Sequence, residues 1–172
     1  TPGYMEAQDV LGAVAHVREL SPDKPIALMG YSYGAVAVLH AAAQSNVPAA
    51  VVADAPFMSA RDAMHRLADE LAKDKSAPWT TRAAVGMVKW PGILELAGIE
   101  FYLRTGVNIS NKRVDAIGAV PKIRETPILF LAGEDDPIAP AANVRRLHDA
   151  SRSRSKSFVL LPKATHSTYT DK

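Results

Sequence analysis

The sequence has no cysteine, which excludes disulfides, thiolate metal sites and a cysteine nucleophile. It also has no apolar run near the roughly 20 residues that a bilayer span needs, because proline, aspartate, lysine or arginine interrupts every such run. We therefore expect no stable membrane insertion. Because the absence of cysteine says little about redox environment, the compartment stays open, with the cytoplasm as the default assumption.

An excess of charge of either sign is lacking as well, with 20 Lys and Arg residues against 18 Asp and Glu residues over 172 positions. A net charge of +2 gives no dense basic field for a phosphate backbone, so nucleic acid is not an expected partner. The hydrophobic fraction of 48% is typical of a globular chain. Because the first residue is Thr1 rather than Met, we expect the native start, with any signal peptide, to lie upstream.

Residues 1–56 alternate between helix and strand patterns. An apolar stripe over 5–20 predicts an amphipathic helix, and residues 25–29 are apolar throughout, as in a parallel strand buried on both faces. The alanine-rich stretch 33–44 predicts a helix packed deep against a sheet. A second buried strand is expected over 49–53.

The block 57–118 has a different, helical texture. Its patterns predict helices from about Ser59 to Lys75, over 81–90 and over 93–104. We interpret it as a helical insertion with its own apolar face, which could form a lid. The apolar residues behind this interpretation are Trp79, Met87, Trp90, Leu94 and Phe101.

The strand and helix rhythm returns in 119–172, with a strand over 127–132, a helix over 141–150 and a strand over 157–161. Alternating elements with continuously apolar strands predict an α/β fold with a mostly parallel sheet flanked by helices. The two core segments, 1–56 and 119–172, would therefore form one sheet.

The sharpest local motif is Gly-Tyr-Ser-Tyr-Gly at 30–34, a G-x-S-x-G between a predicted strand and a predicted helix. Such a turn holds its serine, Ser32, in a strained backbone conformation. We expect Gly30 and Gly34 to avoid side-chain collisions across it. The alternative is a tight glycine turn with an idle serine.

A serine hydroxyl needs a base to take its proton and a carboxylate to orient that base. In a parallel sheet the carboxyl ends of the strands share one edge, and this places His166 and the acidic loop 134–136 near Ser32. We favour Asp136 as the acid, with Asp135 second and Asp54 as a further substitute. Helix capping or turn formation is the alternative role for these acids.

The other histidines fall within predicted helices, where an imidazole is usually a surface or packing group. They are His16, His40, His65 and His148. Since no pair among them has metal-ligand spacing with a nearby carboxylate, no metal site is predicted.

The order Ser, Asp, His, carried by GYSYG, GEDDPIAP and ATHSTY, resembles the α/β-hydrolase superfamily, in its serine esterase and peptidase-like branch. The resemblance implies Ser32 as nucleophile, Asp136 as acid and His166 as base. It also implies an oxyanion-hole amide at Tyr33, no cofactor, and a cap formed by 57–118 between the sixth and seventh strands.

A complete fold of the superfamily that this sequence resembles has eight strands. This sequence predicts about four, which would correspond to the fifth through eighth. We therefore expect an incomplete α/β-hydrolase fold, truncated at the N-terminus and at the C-terminus. The first predicted strand would then be an unpaired edge. The second oxyanion donor would lie upstream.

These features together predict a serine hydrolase that cleaves a small-molecule ester or peptide substrate through an acyl-enzyme. The expected substrate-binding residues are Tyr31, Trp79, Met87 and Trp90. A peptidase or thioesterase with the same triad is one alternative. A non-catalytic binding domain and a basic lid that docks on anionic membranes are others. The oligomeric state stays open.

Overall fold

A four-stranded parallel sheet organises the computed structural model, which describes residues 3–46, 48–73, 75–76, 78–88, 90, 92–107 and 111–166. The strands lie side by side in chain order, each parallel to the next. This confirms the predicted parallel α/β architecture. The strands are β1 (Ala27–Tyr31), β2 (Ala50–Asp54), β3 (Ile128–Gly133) and β4 (Lys156–Leu161).

The helices follow the predicted pattern with small shifts at their ends. They are α1 (Ala7–Leu20), α2 (Tyr33–Gln44), α3 (Ala60–Lys73), α4 (Trp79–Val88), α5 (Ile93–Thr105), α6 (Ala116–Ala119) and α7 (Ala141–Ala150). The predicted bounds of α2 and α7 are confirmed without a shift. The short α6 and the 3₁₀ turn at Val120–Lys122 were not predicted, because neither is long enough to show a periodicity.

The packed core lies on one face of the sheet. Apolar side chains of β2 and β3, such as Val51, Ala53 and Phe130, pack there against α2 and α7. On α2 the buried positions cover nearly the whole circumference, including Val36, Leu39 and Ala42, as expected for a helix that lies deep against a sheet.

The predicted burial of β1 on both faces is wrong. In the described part of the chain β1 is an edge strand that pairs with β2, as the resemblance implied. Its outer-face residues Met29 and Tyr31 are 70% and 43% exposed. The cause is the one-sided core, because α2 covers the opposite face of β1.

Helices α3, α4 and α5 form the block predicted as an insertion. The α3 helix packs on α4, and α4 packs on α5. The backbone N–H of Ala60, where the block begins, donates a hydrogen bond of 3.1 Å to Asp115 Oδ1, which lies where it ends. Its two ends therefore meet at one point of the core. Within the described residues, no helix combines the length and the apolar character needed to cross a membrane.

Among the helix histidines, His40 is a packing residue. It is 3% exposed, its Nε2 donates to the carbonyl of Val114 at 2.8 Å, and its ring meets Tyr4 edge-on. Burial lowers the pKa of His40, more than the Val114 hydrogen bond raises it, and the charge of Lys122 lowers it further. Burial therefore disfavours the protonated form of this imidazole in the folded protein.

We expect this burial to make stability fall with acidity. The unfolded chain takes up a proton on His40 below about pH 6.5, while the folded chain resists it, so the free energy of unfolding decreases as pH falls through that window. Replacing His40 with Gln, which keeps an N–H donor, should flatten the decline in midpoint between pH 7.5 and 5.5. Chemical unfolding followed by circular dichroism measures it.

The matched control is His16→Gln on the exposed side of α1, which should decline as the wild type does. An equally steep decline in His40→Gln and wild type would show that another group causes the acid sensitivity.

Candidate active site

Ser32 occupies the junction between β1 and α2 in a conformation that is rare for a residue with a side chain. Its φ is 51° and its ψ is −114°. The backbone N–H of Ser32 donates to the carbonyl of Asp54 at 2.8 Å, and its carbonyl accepts from the N–H groups of Ala35 and Val36. These hydrogen bonds hold the strained turn in place, and strain of this kind is concentrated at functional sites.

Gly30 makes that turn possible. A Cβ at Gly30 would lie 2.3 Å from the carbonyl oxygen of Gly34 and 2.7 Å from the backbone nitrogen of Ala35. Position 30 therefore accepts only glycine without a backbone shift. The collision expected at Gly34 is absent, because a Cβ there meets nothing within 4 Å beyond its own helix turn and chain neighbours.

Three side chains from distant parts of the sequence meet at the carboxyl edge of the sheet. Ser32 Oγ lies 2.8 Å from His166 Nε2, and His166 Nδ1 lies 2.7 Å from Asp136 Oδ2. Because a carboxylate only accepts, the proton of a neutral His166 belongs on Nδ1, which leaves Nε2 to accept from the serine hydroxyl. Contacts of this kind are what activation of a serine by an oriented base requires.

The three carboxylates of the acidic loop have different surroundings. Asp136 is buried, and its Oδ1 accepts from the N–H groups of Ile138 and Ala139 at 2.9 and 2.8 Å. Asp135 is exposed, and Glu134 accepts from the N–H of Lys163. Asp136, the favoured acid, is therefore the one beside the imidazole.

The loops after β3 and β4 are joined to each other. The N–H of Glu134 donates to Leu161, and the N–H of Asp135 donates to Ala164, both at 3.0 Å. Because His166 follows Ala164 by two residues, these bonds fix the base relative to the acid.

The two tyrosines of the motif have separate surroundings. The ring of Tyr31 lies 5.3 Å from the His166 ring, centroid to centroid, at a tilt of 34°. Tyr33 opens α2, where backbone amides lack partners within the helix, and its hydroxyl donates to the Glu6 carboxylate. Burial, followed by this bond and the Glu6 charge, raises the pKa of Tyr33 to about 12. Neither the Tyr31–His166 ring contact nor the Tyr33–Glu6 hydrogen bond was predicted, because the spacing of the motif does not give side-chain direction.

Asp54, the substitute acid of the sequence analysis, ends β2 and is 7% exposed. Its Oδ1 is buried and has no hydrogen-bond partner among the described residues. Burial raises the pKa of Asp54, the charge of Asp136 raises it further, and His166 acts in the opposite direction.

The apolar residues predicted to line an acyl pocket are exposed side chains of the block 57–118. Trp79 and Met87 belong to α4, Trp90 follows it, and all three are more than half exposed. Helix α4 packs on α3 and α5. Their role in substrate binding stays a prediction, and the side chain of Leu94 lies outside the described part. Within that part, no three His, Asp or Glu side chains are grouped to hold a metal.

A family model described as the alpha/beta hydrolase family matches residues 1–172. The chain therefore belongs to that family, and its sheet is part of an α/β-hydrolase fold. No curated protein sequence matches the chain.

Solved structures with the same fold include an esterase of Pyrococcus furiosus, Pf2001, with a TM-score of 0.71 at 15% identity, over 96% of this chain and 56% of that one. A monoacylglycerol lipase of Paleococcus ferrophilus is similar with a TM-score of 0.59 at 20% identity, over 98% of this chain and 70% of that one. An acylaminoacyl peptidase of Pyrococcus horikoshii has a TM-score of 0.60 at 14% identity, over 96% of this chain and 24% of that one. The chain thus spans about half the length of the Pf2001 esterase.

The two glycines of the turn test whether the close approach of β1 to α2 requires the absence of a side chain at position 30. Gly30→Ala should lower the free energy of unfolding by about 2 kcal/mol or more, because its Cβ meets backbone atoms that no rotamer change can move. Gly34→Ala, the matched control, should be neutral or stabilising by about 0.5–1 kcal/mol, since alanine favours helix. Urea unfolding of both variants measures the difference, and equal midpoints would contradict it.

Proposed function

We propose that this protein is a serine hydrolase that cleaves carboxylic esters through an acyl-enzyme. The observation that carries the proposal is the continuous chain of contacts from Ser32 Oγ through His166 to Asp136, at 2.8 and 2.7 Å. Membership of the α/β-hydrolase family supports it. The similar structures include an esterase and a lipase, which agrees with it.

In the proposed mechanism Ser32 Oγ attacks the ester carbonyl while its proton passes to His166 Nε2. The Asp136 carboxylate accepts from Nδ1–H and stabilises the imidazolium. The proton then moves to the leaving alcohol. Water repeats the sequence on the acyl-serine, with His166 again as base, and releases the acid and the free enzyme.

Charge develops on the carbonyl oxygen during both attacks. We assign its stabilisation to the backbone N–H of Tyr33, which opens α2 directly after Ser32. A helix N-terminus favours negative charge, and one such donor typically contributes about 10²- to 10³-fold in rate. The mechanism draws on no cofactor.

The first test is removal of the nucleophile. Ser32→Ala should abolish labelling by a fluorophosphonate probe and lower p-nitrophenyl acetate turnover by about 10⁴-fold or more, because alanine has no side-chain oxygen to attack the carbonyl. Ser157→Ala, an exposed serine on β4, serves as the control and should label and turn over normally. Equal activity in Ser32→Ala and wild type would remove Ser32 from the mechanism. A folded wild type that neither labels nor turns over would favour a binding domain.

We further propose that the block 57–118, whose ends meet at Ala60 and Asp115, is a cap that contributes apolar surface to the substrate. Trp79, Met87 and Trp90 would then contact the acyl or leaving group, and Tyr31 would contact substrate at the rim beside His166. Small hydrophobic esters are accordingly the proposed substrates.

Trp90→Ala should lower kcat/KM for p-nitrophenyl octanoate by about tenfold and leave acetate turnover nearly unchanged, since the lost apolar contact matters only to the longer chain. Exposed Leu20 on α1 gives the control Leu20→Ala. A panel of thioesters and aminoacyl amides assayed beside the esters distinguishes the thioesterase and peptidase alternatives.

A further inference from the structure

Tyr31 is the last residue of β1 and the immediate neighbour of Ser32. Its ring centroid lies 5.3 Å from that of His166, and the two ring planes are tilted by 34°. Aromatic ring pairs attract one another at centroid distances of about 4.5–7 Å. Because a tilt of 34° is closer to parallel than to perpendicular, the phenol packs on the imidazole as a tilted stack rather than edge-on.

The hydrogen bonds of His166 leave one motion of its ring weakly restrained. Both ring nitrogens have a partner, Ser32 Oγ on one side and Asp136 Oδ2 on the other. Hydrogen bonds to ring nitrogens lie close to the ring plane, so they resist tipping of the plane about the line between the two partners only weakly. A stacked neighbour opposes that tipping. The ring of Tyr31 supplies this contact from outside the plane.

The sheet fixes the position of Tyr31. Tyr31 pairs in register with Asp54 on β2, and the next residue, Ser32, donates its backbone N–H to the Asp54 carbonyl. Tyr31 is 43% exposed and takes no part in the packed core, which lies on the other face of the sheet. Replacing its side chain therefore opens no cavity in that core.

A stacked phenol also interacts with charge. The face of an aromatic ring is negative and attracts a cation within about 6 Å of the ring centroid. In the proposed mechanism His166 becomes such a cation when it takes the Ser32 proton. The His166 side chain is 17% exposed, so water solvates that charge incompletely and the attraction of the ring is larger. A contact that strengthens as the charge develops raises the rate.

The charged and titratable groups around His166 come from three elements. They are Asp136 in the loop after β3, Asp54 at the end of β2 and Tyr31 on β1. Burial raises the pKa of Tyr31, and the charges of Asp136 and Asp54 raise it further. The phenol is therefore neutral in acid, and its replacement removes a ring but no charge.

We propose that Tyr31 is a positioning residue for the base, which holds the plane of the His166 imidazole by stacking and stabilises the imidazolium formed when Ser32 attacks. The inference rests on the proposed function, because it concerns the proton that passes from Ser32 Oγ to His166 Nε2. It differs from a substrate contact of Tyr31, since the phenol acts on the base. No bond of Tyr31 forms or breaks in the reaction.

Two replacements of Tyr31 separate the ring from its hydroxyl. Tyr31→Leu removes the ring but keeps an apolar side chain, and should lower kcat for p-nitrophenyl acetate by about three- to tenfold, with KM changed by less than about twofold. Tyr31→Phe, which keeps the ring, should recover most of that loss. A loss confined to KM would identify a substrate contact, and an equal loss in both variants would identify a role of the hydroxyl. Either result would overturn the proposal.

The pH profile provides a readout that a purely structural role would not change. Loss of the ring destabilises the imidazolium, so the acid limb of kcat/KM should move to lower pH by about 0.5 unit in Tyr31→Leu and return in Tyr31→Phe. An unmoved limb would contradict the proposal. A shift to higher pH would contradict it as well, because it would mean that Tyr31 acts by excluding water from the imidazole.

Met29→Leu is the matched control. Met29 lies two residues before Tyr31 on the same face of β1 and is also exposed. This variant should keep the wild-type kcat and acid limb. Urea unfolding of Tyr31→Leu should give a midpoint close to that of the wild type, because the core is untouched. A lower midpoint together with an unmoved acid limb would make Tyr31 a structural residue.

The two proposals fail separately. If Ser32→Ala abolishes labelling while Tyr31→Leu keeps the wild-type kcat and acid limb, the hydrolase stands and the role of Tyr31 falls. If Ser32→Ala keeps wild-type activity, the hydrolase mechanism itself falls. The stack is then tested without turnover, by following the His166 imidazole by NMR. It should titrate at lower pH in Tyr31→Leu than in the wild type, and equal midpoints would overturn the stacking role as well.

Discussion

The close approach between the end of β1 and the start of α2 is the constraint on which the candidate site depends. It requires the absence of a Cβ at Gly30, forces Ser32 to a φ of 51°, and directs the N–H of Ser32 to β2. A serine in an ordinary helix or strand would lie along a ladder of hydrogen bonds. Here the chain reverses around it, and the hydroxyl reaches the rim where the loops after β3 and β4 also end. The strained turn thus places the Ser32 hydroxyl beside the two loops that carry His166 and Asp136.

The loops that carry the acid and the base depend on one another in the same way. Asp136 Oδ1 accepts the hydrogen bonds that close its own turn, and Asp136 Oδ2 contacts His166. The conformation of the loop therefore also sets the orientation of the carboxylate toward His166. The hydrogen bonds from Glu134 and Asp135 then bind this turn to the segment that precedes His166. Such preorganisation limits the rearrangement needed when charge moves.

Much of this arrangement could be predicted from the sequence. The run of small residues over 33–44 gives the bounds of α2, and parallel topology places Ser32, Asp136 and His166 on one edge. The sequence could not say which of Asp135 and Asp136 faces inward, since backbone turn geometry decides it. It also predicted burial for both faces of β1, because an apolar run does not reveal which face a helix covers. The sequence likewise does not show that Asp54 Oδ1 is buried without a hydrogen-bond partner among the described residues, because this depends on neighbours far away in the chain.

The position of β1 at the margin of the sheet has a broader consequence. In the described part of the chain a single ladder, to β2, holds the strand that carries Ser32. Among the described residues, no strand pairs with its other row of peptide groups. Pairing along that row would restrain the turn from a second side, so the packing at this margin and the position of the Ser32 hydroxyl would be coupled.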